Sequence, residues 1–127
     1  MKKKFSTKWK GSKQPRKQRK YRHNAPKHIK SKMIKSNLAK ELRTKYGKRN
    51  FRVRKKDVVK VMRGIFKGKK GKVTEINVKR ELVFIENIQK TRKDGTKVPI
   101  GINPSNLQIQ ELDLEDKKRL NKLEKKK

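Results

Sequence analysis

Five cations and three glycines share ten consecutive residues: Arg63, Lys67, Lys69, Lys70 and Lys72 stand among Gly64, Gly68 and Gly71. Glycine lets a backbone turn sharply and approach another backbone closely. A turn built this way leaves peptide N–H groups exposed beside the Lys and Arg charges, an arrangement suited to phosphate oxygens. A plainer reading, in which the glycines only satisfy turn geometry, is compatible with that one. The stretch is not a Walker loop, because Gly68-Lys69-Lys70-Gly71 lacks the required Gly-Lys-Ser/Thr spacing.

A second set lies near the start: Lys13, Arg16, Lys17, Arg19, Lys20 and Arg22, with Tyr21 among them. Arg forks two phosphate oxygens or stacks on a base, whereas Lys acts as a point charge. Tyr21 and Trp9 are candidates to stack on unpaired bases, worth about 1–3 kcal/mol each; in the simpler reading Trp9 anchors the arm to the protein. His23 and His28 have no carboxylate or Cys near them in sequence and read as phosphate or base contacts, not metal ligands. Lys27, Lys35, Lys40, Arg43, Arg49, Arg80, Arg92, Lys93 and Lys97 complete the candidate nucleic-acid contacts.

No catalytic set emerges. Glu111, Asp113, Glu115 and Asp116 resemble an acid/base set, but Asp113 precedes a helical pattern whose Lys117, Lys118, Arg119 and Lys122 follow it, as a helix capped by Asp113 and its dipole prefer. Asp57, Glu75 and Glu86 sit on or beside strands and are expected to pair with surrounding cations, each surface pair contributing about 0–1 kcal/mol. Neither a cofactor, a metal nor a small-molecule substrate is expected.

The elements that must position these residues divide the chain into four parts. Residues 1–24 hold no hydrophobic periodicity and read as a basic extended arm, ordered only when a polyanion neutralises it. Residues 25–50 form a helical segment: Ile29, Met33, Ile34, Leu38, Leu42 and Tyr46 step mostly by four, marking an amphipathic helix that ends at Gly47, or two helices if Ser36-Asn37 cap a second. Residues 51–112 hold 22 of the 37 hydrophobic residues, eight of them Val and seven Ile. Strands are predicted at 57–62, 73–78, 82–86, 98–100 and 107–110, with a hairpin tip at Asp94-Gly95. Five short strands in so few residues favour a small closed barrel over a sandwich. Residues 113–127 read as a short helix and basic tail.

Composition sets the outer limits. The 127 residues carry 43 Lys+Arg against 11 Asp+Glu, for a net charge of +32. Self-repulsion on this scale opposes compaction unless a polyanion is bound. No stretch has the roughly 18 consecutive apolar residues of a spanning helix, so no membrane insertion is expected. The basic start lacks the apolar region of a secretory signal. The chain has no Cys, which removes disulfides, thiol nucleophiles and cysteine-bound zinc.

Residues 56–76, with the Gly-x-x-x-Gly-x-x-Gly spacing and the strand Val83-Phe84-Ile85-Glu86 after it, resemble a KOW motif. The flanks narrow the resemblance: Ser12-Lys13-Gln14-Pro15-Arg16-Lys17-Gln18-Arg19, Asn24-Ala25-Pro26, Leu38-Ala39-Lys40-Glu41-Leu42-Arg43, Lys45-Tyr46-Gly47, Asp94-Gly95-Thr96-Lys97-Val98-Pro99-Ile100 and Asn103-Pro104-Ser105-Asn106-Leu107. Together, from about Ser12 to Arg119, the chain is similar to the archaeal form of the universal KOW-domain large-subunit ribosomal proteins, twenty-fourth in bacterial and twenty-sixth in eukaryotic naming. The resemblance implies a mainly β, SH3-like barrel bound to large-subunit rRNA near its 5′ domain, close to the polypeptide exit tunnel, on cytoplasmic ribosomes. It also implies neighbouring large-subunit proteins and exit-tunnel factors as partners, and a part in subunit assembly. Under it, the cations named above become rRNA contacts and the hairpin at 92–97 meets RNA, a neighbouring protein or an exit-site factor. Two features depart from the pattern: Lys56 stands where many members have Gly, and residues 1–11, with Phe5 and Trp9, extend beyond the usual start.

Two other classes share parts of this profile. A DNA-compacting protein on an SH3-like barrel would be as small and basic, but the flanking motifs argue against it. A transcription-elongation KOW protein would carry a globular domain before the barrel, where this chain has a polybasic arm.

Overall fold

The computed structural model describes residues 5–9 and 11–125. Lys2-Lys3-Lys4 and the last two lysines, read above as parts of the polybasic ends, lie outside the described residues. In chain order the elements are α1 (Pro15–Asn24), α2 (Lys27–Met33), β1 (Lys35–Leu38), α3 (Lys40–Tyr46), β2 (Asn50–Arg52), β3 (Val58–Val61), β4 (Lys70–Asn77), β5 (Leu82–Thr91), β6 (Lys97–Ile102), a 3₁₀ turn (Pro104–Asn106), β7 (Leu107–Glu111) and α4 (Lys117–Glu124). Among the described residues no helix is long and apolar enough to cross a membrane.

The strands form one sheet in the order β2-β1-β7-β3-β4-β5-β6. All neighbours are antiparallel except β1 and β7, which run parallel. Laid flat, seven strands would spread over about 29 Å. Instead Leu38, Val59, Val61, Val73, Val83, Ile85, Ile88, Ile102, Leu107 and Ile109 share one buried cluster, so the sheet curls around it. Register shifts within β3/β7, β4/β5 and β5/β6 supply the bends, as bulges do in small barrels. The five strands predicted from Val/Ile alternation become β3 to β7, and the mainly β, SH3-like class holds.

The first 50 residues contribute more to this core than their basic composition suggests. Ile34 and Leu38 are fully buried, and Leu42 packs against the cluster. A continuous helix does not form there. Ile34, Ser36 and Leu38 all point inward, with the Ser36 hydroxyl donating to the Pro104 carbonyl at 2.7 Å, so β1 splits the stripe into α2 and α3. The second helix starts after Ala39, not at Ser36-Asn37, and ends at left-handed Gly47, whose N–H donates to the Arg43 carbonyl.

The extended arm also needs correction. Pro15 opens α1 at a helix first-turn position, where its fixed φ is favourable and its missing N–H costs nothing. Arg, Lys and Gln are good helix formers. Phe5 and Trp9 pack on Tyr21 with ring centroids 4.9 and 4.8 Å away, bringing these two side chains onto the helix. No residue of α1 is buried, and none belongs to the hydrophobic cluster of the barrel.

At the other end, the expectation for Asp57 is overturned: it is fully buried, as is Arg119. The Arg119 guanidinium donates from Nη1 and Nη2 to the two Asp57 carboxylate oxygens at 2.6 and 2.7 Å. Asp57 also accepts the N–H groups of Arg54 at 2.8 Å and Asp113 at 3.0 Å. Arg119 donates further to the carbonyls of Asp113 and Arg52 and lies over the Phe51 ring. The pair pins α4 to the barrel, with Leu123 fully buried beside it. The cap of α4 is Asp116, whose side chain accepts the Lys118 N–H; Asp113 serves the buried pair through its backbone.

Candidate nucleic-acid interface

The β3–β4 loop is held by a short backbone network. Gly68 N–H donates to the Val61 carbonyl at 2.8 Å, Lys67 N–H to Gly64 at 3.1 Å, and Met62 N–H to Asn106 at 2.8 Å. Gly64 and Gly68 have φ of 95° and 88°, a left-handed backbone that side chains disfavour. Gly71 does different work from the turn role expected of it. It lies in β4, where a Cβ would come within 2.8 Å of the Glu86 carbonyl oxygen and the Ile85 side chain, so it permits β5 to close over β4. Lys56 takes φ of 70°, so its place in the chain suits the glycine of the KOW pattern, and its ammonium reaches Glu115 at 2.9 Å.

The pleat gathers cations on the outer face of the sheet. Lys35 stands directly opposite Arg52, and Lys60 directly opposite Lys70. Asn37 and Gln108 connect the two pairs across β1, β7 and β3, and Lys72 follows Lys70 on the same side of β4. Like charges placed opposite each other destabilise a sheet, and a polyanion laid across them reverses that sign. Lys60 and Arg52 were missed by sequence reasoning, although outward alternation in Val59-Lys60-Val61 is a usable signal for the first.

Nearly all the expected contacts are solvent-facing. Lys13 and the α1 residues Arg16, Lys17, Arg19, Lys20, Arg22 and His23 are exposed, as are Lys27, His28, Lys40 and Arg49. Arg63, Lys67, Lys69, Lys70 and Lys72 are exposed on the loop and β4, and Lys69 lies over the Phe66 ring at 5.3 Å. Arg80 occupies the β4–β5 turn, which α2 reaches through Lys30 donating to the Lys79 carbonyl. Arg92, Lys93 and Lys97 surround the β5–β6 tip, at the opposite edge of the sheet from Lys35, and are not brought onto the shared cation face. Two residues are partly engaged elsewhere: Arg43 Nε donates to the Leu38 carbonyl at 2.7 Å, and Tyr21 is covered by Phe5 and Trp9.

The ion pairs among the described residues are Arg54–Asp116, Lys56–Glu115 and Arg119–Asp57. Each draws on the acidic stretch before α4 or on buried Asp57, leaving the candidate contacts without carboxylate partners. The Arg54 hydrogen bond, then the Lys118 N–H, holds the Asp116 carboxyl below its ordinary range. The hydrogen bond and charge of Glu115 raise the Lys56 ammonium above its own. A depressed carboxyl stabilises the fold above its unfolded pKa of about 4 and loses that contribution as pH falls through the lower folded value. A raised Lys stabilises below about 10.4 and loses its contribution as pH rises through the higher folded value. Thermal melts of Arg54→Ala should therefore show a shallower acid-side decline than those of the unaltered chain, with little change in the alkaline limb.

Among the described residues no group of three or more His, Asp or Glu side chains is placed to hold a metal ion. The geometry is that of a cation-faced barrel with a glycine-bent basic loop and a basic helical arm.

Comparison with known proteins gives a family match over residues 12–126, to a model described as the eukaryotic L26 and archaeal L24 ribosomal proteins. The chain is 51% identical over 115 residues to the large ribosomal subunit protein uL24 of Methanocella arvoryzae, covering 91% of this chain and 93% of that protein. It is 46% identical over 112 residues to its counterpart in Methanoculleus marisnigri, covering 88% and 93%. For Methanothrix thermoacetophila the figures are 47% over 108 residues, covering 85% and 93%.

Proposed function

Because this chain belongs to the family of eukaryotic L26 and archaeal L24 ribosomal proteins, structural proteins of the large ribosomal subunit, we propose that it binds the 5′ domain of large-subunit rRNA. Its place is on the cytoplasmic ribosome, beside neighbouring large-subunit proteins and near the polypeptide exit tunnel, where the β5–β6 tip is available to exit-tunnel factors. The observation that carries the reading is the opposed cation pairs, Lys35 with Arg52 and Lys60 with Lys70, none of which forms an ion pair with a carboxylate among the described residues. Such a surface is stabilised by phosphate, and kinship with ribosomal proteins supports rRNA as the polyanion.

The barrel supplies a preformed platform through β4 and its loop. Helix α1 supplies reach: it has five Lys or Arg and no acid in ten residues, so like charges three and four apart repel along it. Neutralising phosphates removes that repulsion, so RNA binding tightens the helix. By holding RNA segments together at these two places the protein assists subunit assembly.

Filter binding of the full chain to separate transcripts of the large-subunit rRNA domains tests this. Preference for the 5′-domain transcript, with affinity falling steeply as salt rises, is expected. Equal affinity for every transcript and for duplex DNA would reduce the protein to a general polyanion binder.

A further inference from the structure

Ile65 is 96% exposed, the most exposed large hydrophobic side chain among the described residues. It does not sit on a slack loop. The turn that presents it is closed by the Lys67-to-Gly64 and Gly68-to-Val61 backbone hydrogen bonds and by the left-handed Gly64 and Gly68. The next residue, Phe66, packs against the core. Ile65 is therefore held outward at the tip of the basic loop, with Met62 partly exposed behind it and Arg63, Lys67 and Lys69 around it.

We propose that Ile65 is an apolar wedge that seats against an exposed base or ribose face of large-subunit RNA, while Arg63 and Lys67 take the flanking phosphates. The charge of the rim selects this occupant. An apolar patch on another protein would have to be ringed by acids to accept a tip so cationic, whereas a nucleotide offers an apolar face and flanking phosphates within one unit. Apolar side chains inserted at base steps beside cations are an established way of gripping nucleic acid. The wedge also accounts for an isoleucine at a fully exposed position, where burial on binding recovers its transfer free energy.

This inference rests on the rRNA-binding reading, and the experiment separates their failures. Binding to the 5′-domain transcript is measured for the full chain, Ile65→Ala and Ile65→Lys across a salt series. Burying about half of an Ile side chain corresponds to about tenfold in affinity. Ile65→Ala should therefore bind about tenfold more weakly with an unchanged salt slope, since an apolar contact displaces no counterions. Ile65→Lys should also bind more weakly despite its added charge. Tighter binding by Ile65→Lys would make the tip a phosphate contact and overturn the wedge. Normal binding by both variants, with loss only of subunit incorporation, would assign the tip to a protein and overturn it too. If the unaltered chain does not bind the transcript, the rRNA reading itself fails.

Discussion

Replacing Asp57 with asparagine is expected to lower the free energy of unfolding by about 3–5 kcal/mol, a large share of the about 5–15 kcal/mol that a domain possesses. The carboxylate meets four donors: both terminal nitrogens of Arg119 and the N–H groups of Arg54 and Asp113. Asparagine keeps the shape but in either orientation turns an amide NH₂ toward two of those donors, one from Arg119 and one backbone N–H, and leaves a buried guanidinium without its counter-charge. Arg119→Met removes the cation instead and strands the carboxylate with two backbone donors. Combining Asp57→Asn with Arg119→Met removes both charges, so its cost should fall well short of the two single costs added together. Urea unfolding followed by circular dichroism at fixed salt measures all three. A loss below about 1 kcal/mol for Asp57→Asn would mean that α4 is not pinned through this pair.

The second large effect is on binding. Changing Lys67, Lys69, Lys70 and Lys72 together to Ala removes four exposed cations from the loop and β4. At about 0.7–0.9 released counterions per phosphate contact, the slope of log affinity against log salt should fall by about 3, and affinity near 0.15 M salt by about 10²-fold. The fold should survive, because none of the four is buried and the Lys60–Lys70 opposition disappears. Unfolding midpoint and salt slope measured on the same preparation separate the two effects. An unchanged slope would take this loop out of the RNA footprint.

Much of the barrel was legible because period-two runs of Val and Ile mark strands without reference to partners, and because Gly64, Gly68 and Asp94-Gly95 announce their turns. β1 was hidden by a polar residue at an inward position. Ser36 is buried with its hydroxyl on Pro104, so Ile34, Ser36 and Leu38 do not read as a strand, and Ile34, Leu38 and Leu42 continue a helical step of four. Helix α1 was masked by its charge and its lack of a buried stripe, and the aromatic contacts of Tyr21 with Phe5 and Trp9 join residues too far apart in sequence to show a local pattern. Asp57 and Arg119 are 62 residues apart, and a contact at that separation leaves no local pattern; each alone looks like a surface charge. The candidate interface was legible as composition but not as geometry. Lys60 facing Lys70, and Lys35 facing Arg52, follow from strand register that the sequence does not disclose.

The central claim is that this cation face and arm are laid against the 5′ domain of large-subunit rRNA. Its most direct measurement is sedimentation of the tagged chain from cells at low and moderate salt, with crosslinked RNA sequenced. Co-sedimentation with large subunits, and crosslinks concentrated in the 5′ domain and mapping to α1, the β3–β4 loop and β4, is the expected result. Recovery with DNA or RNA polymerase, or crosslinks scattered evenly along the rRNA, would contradict it.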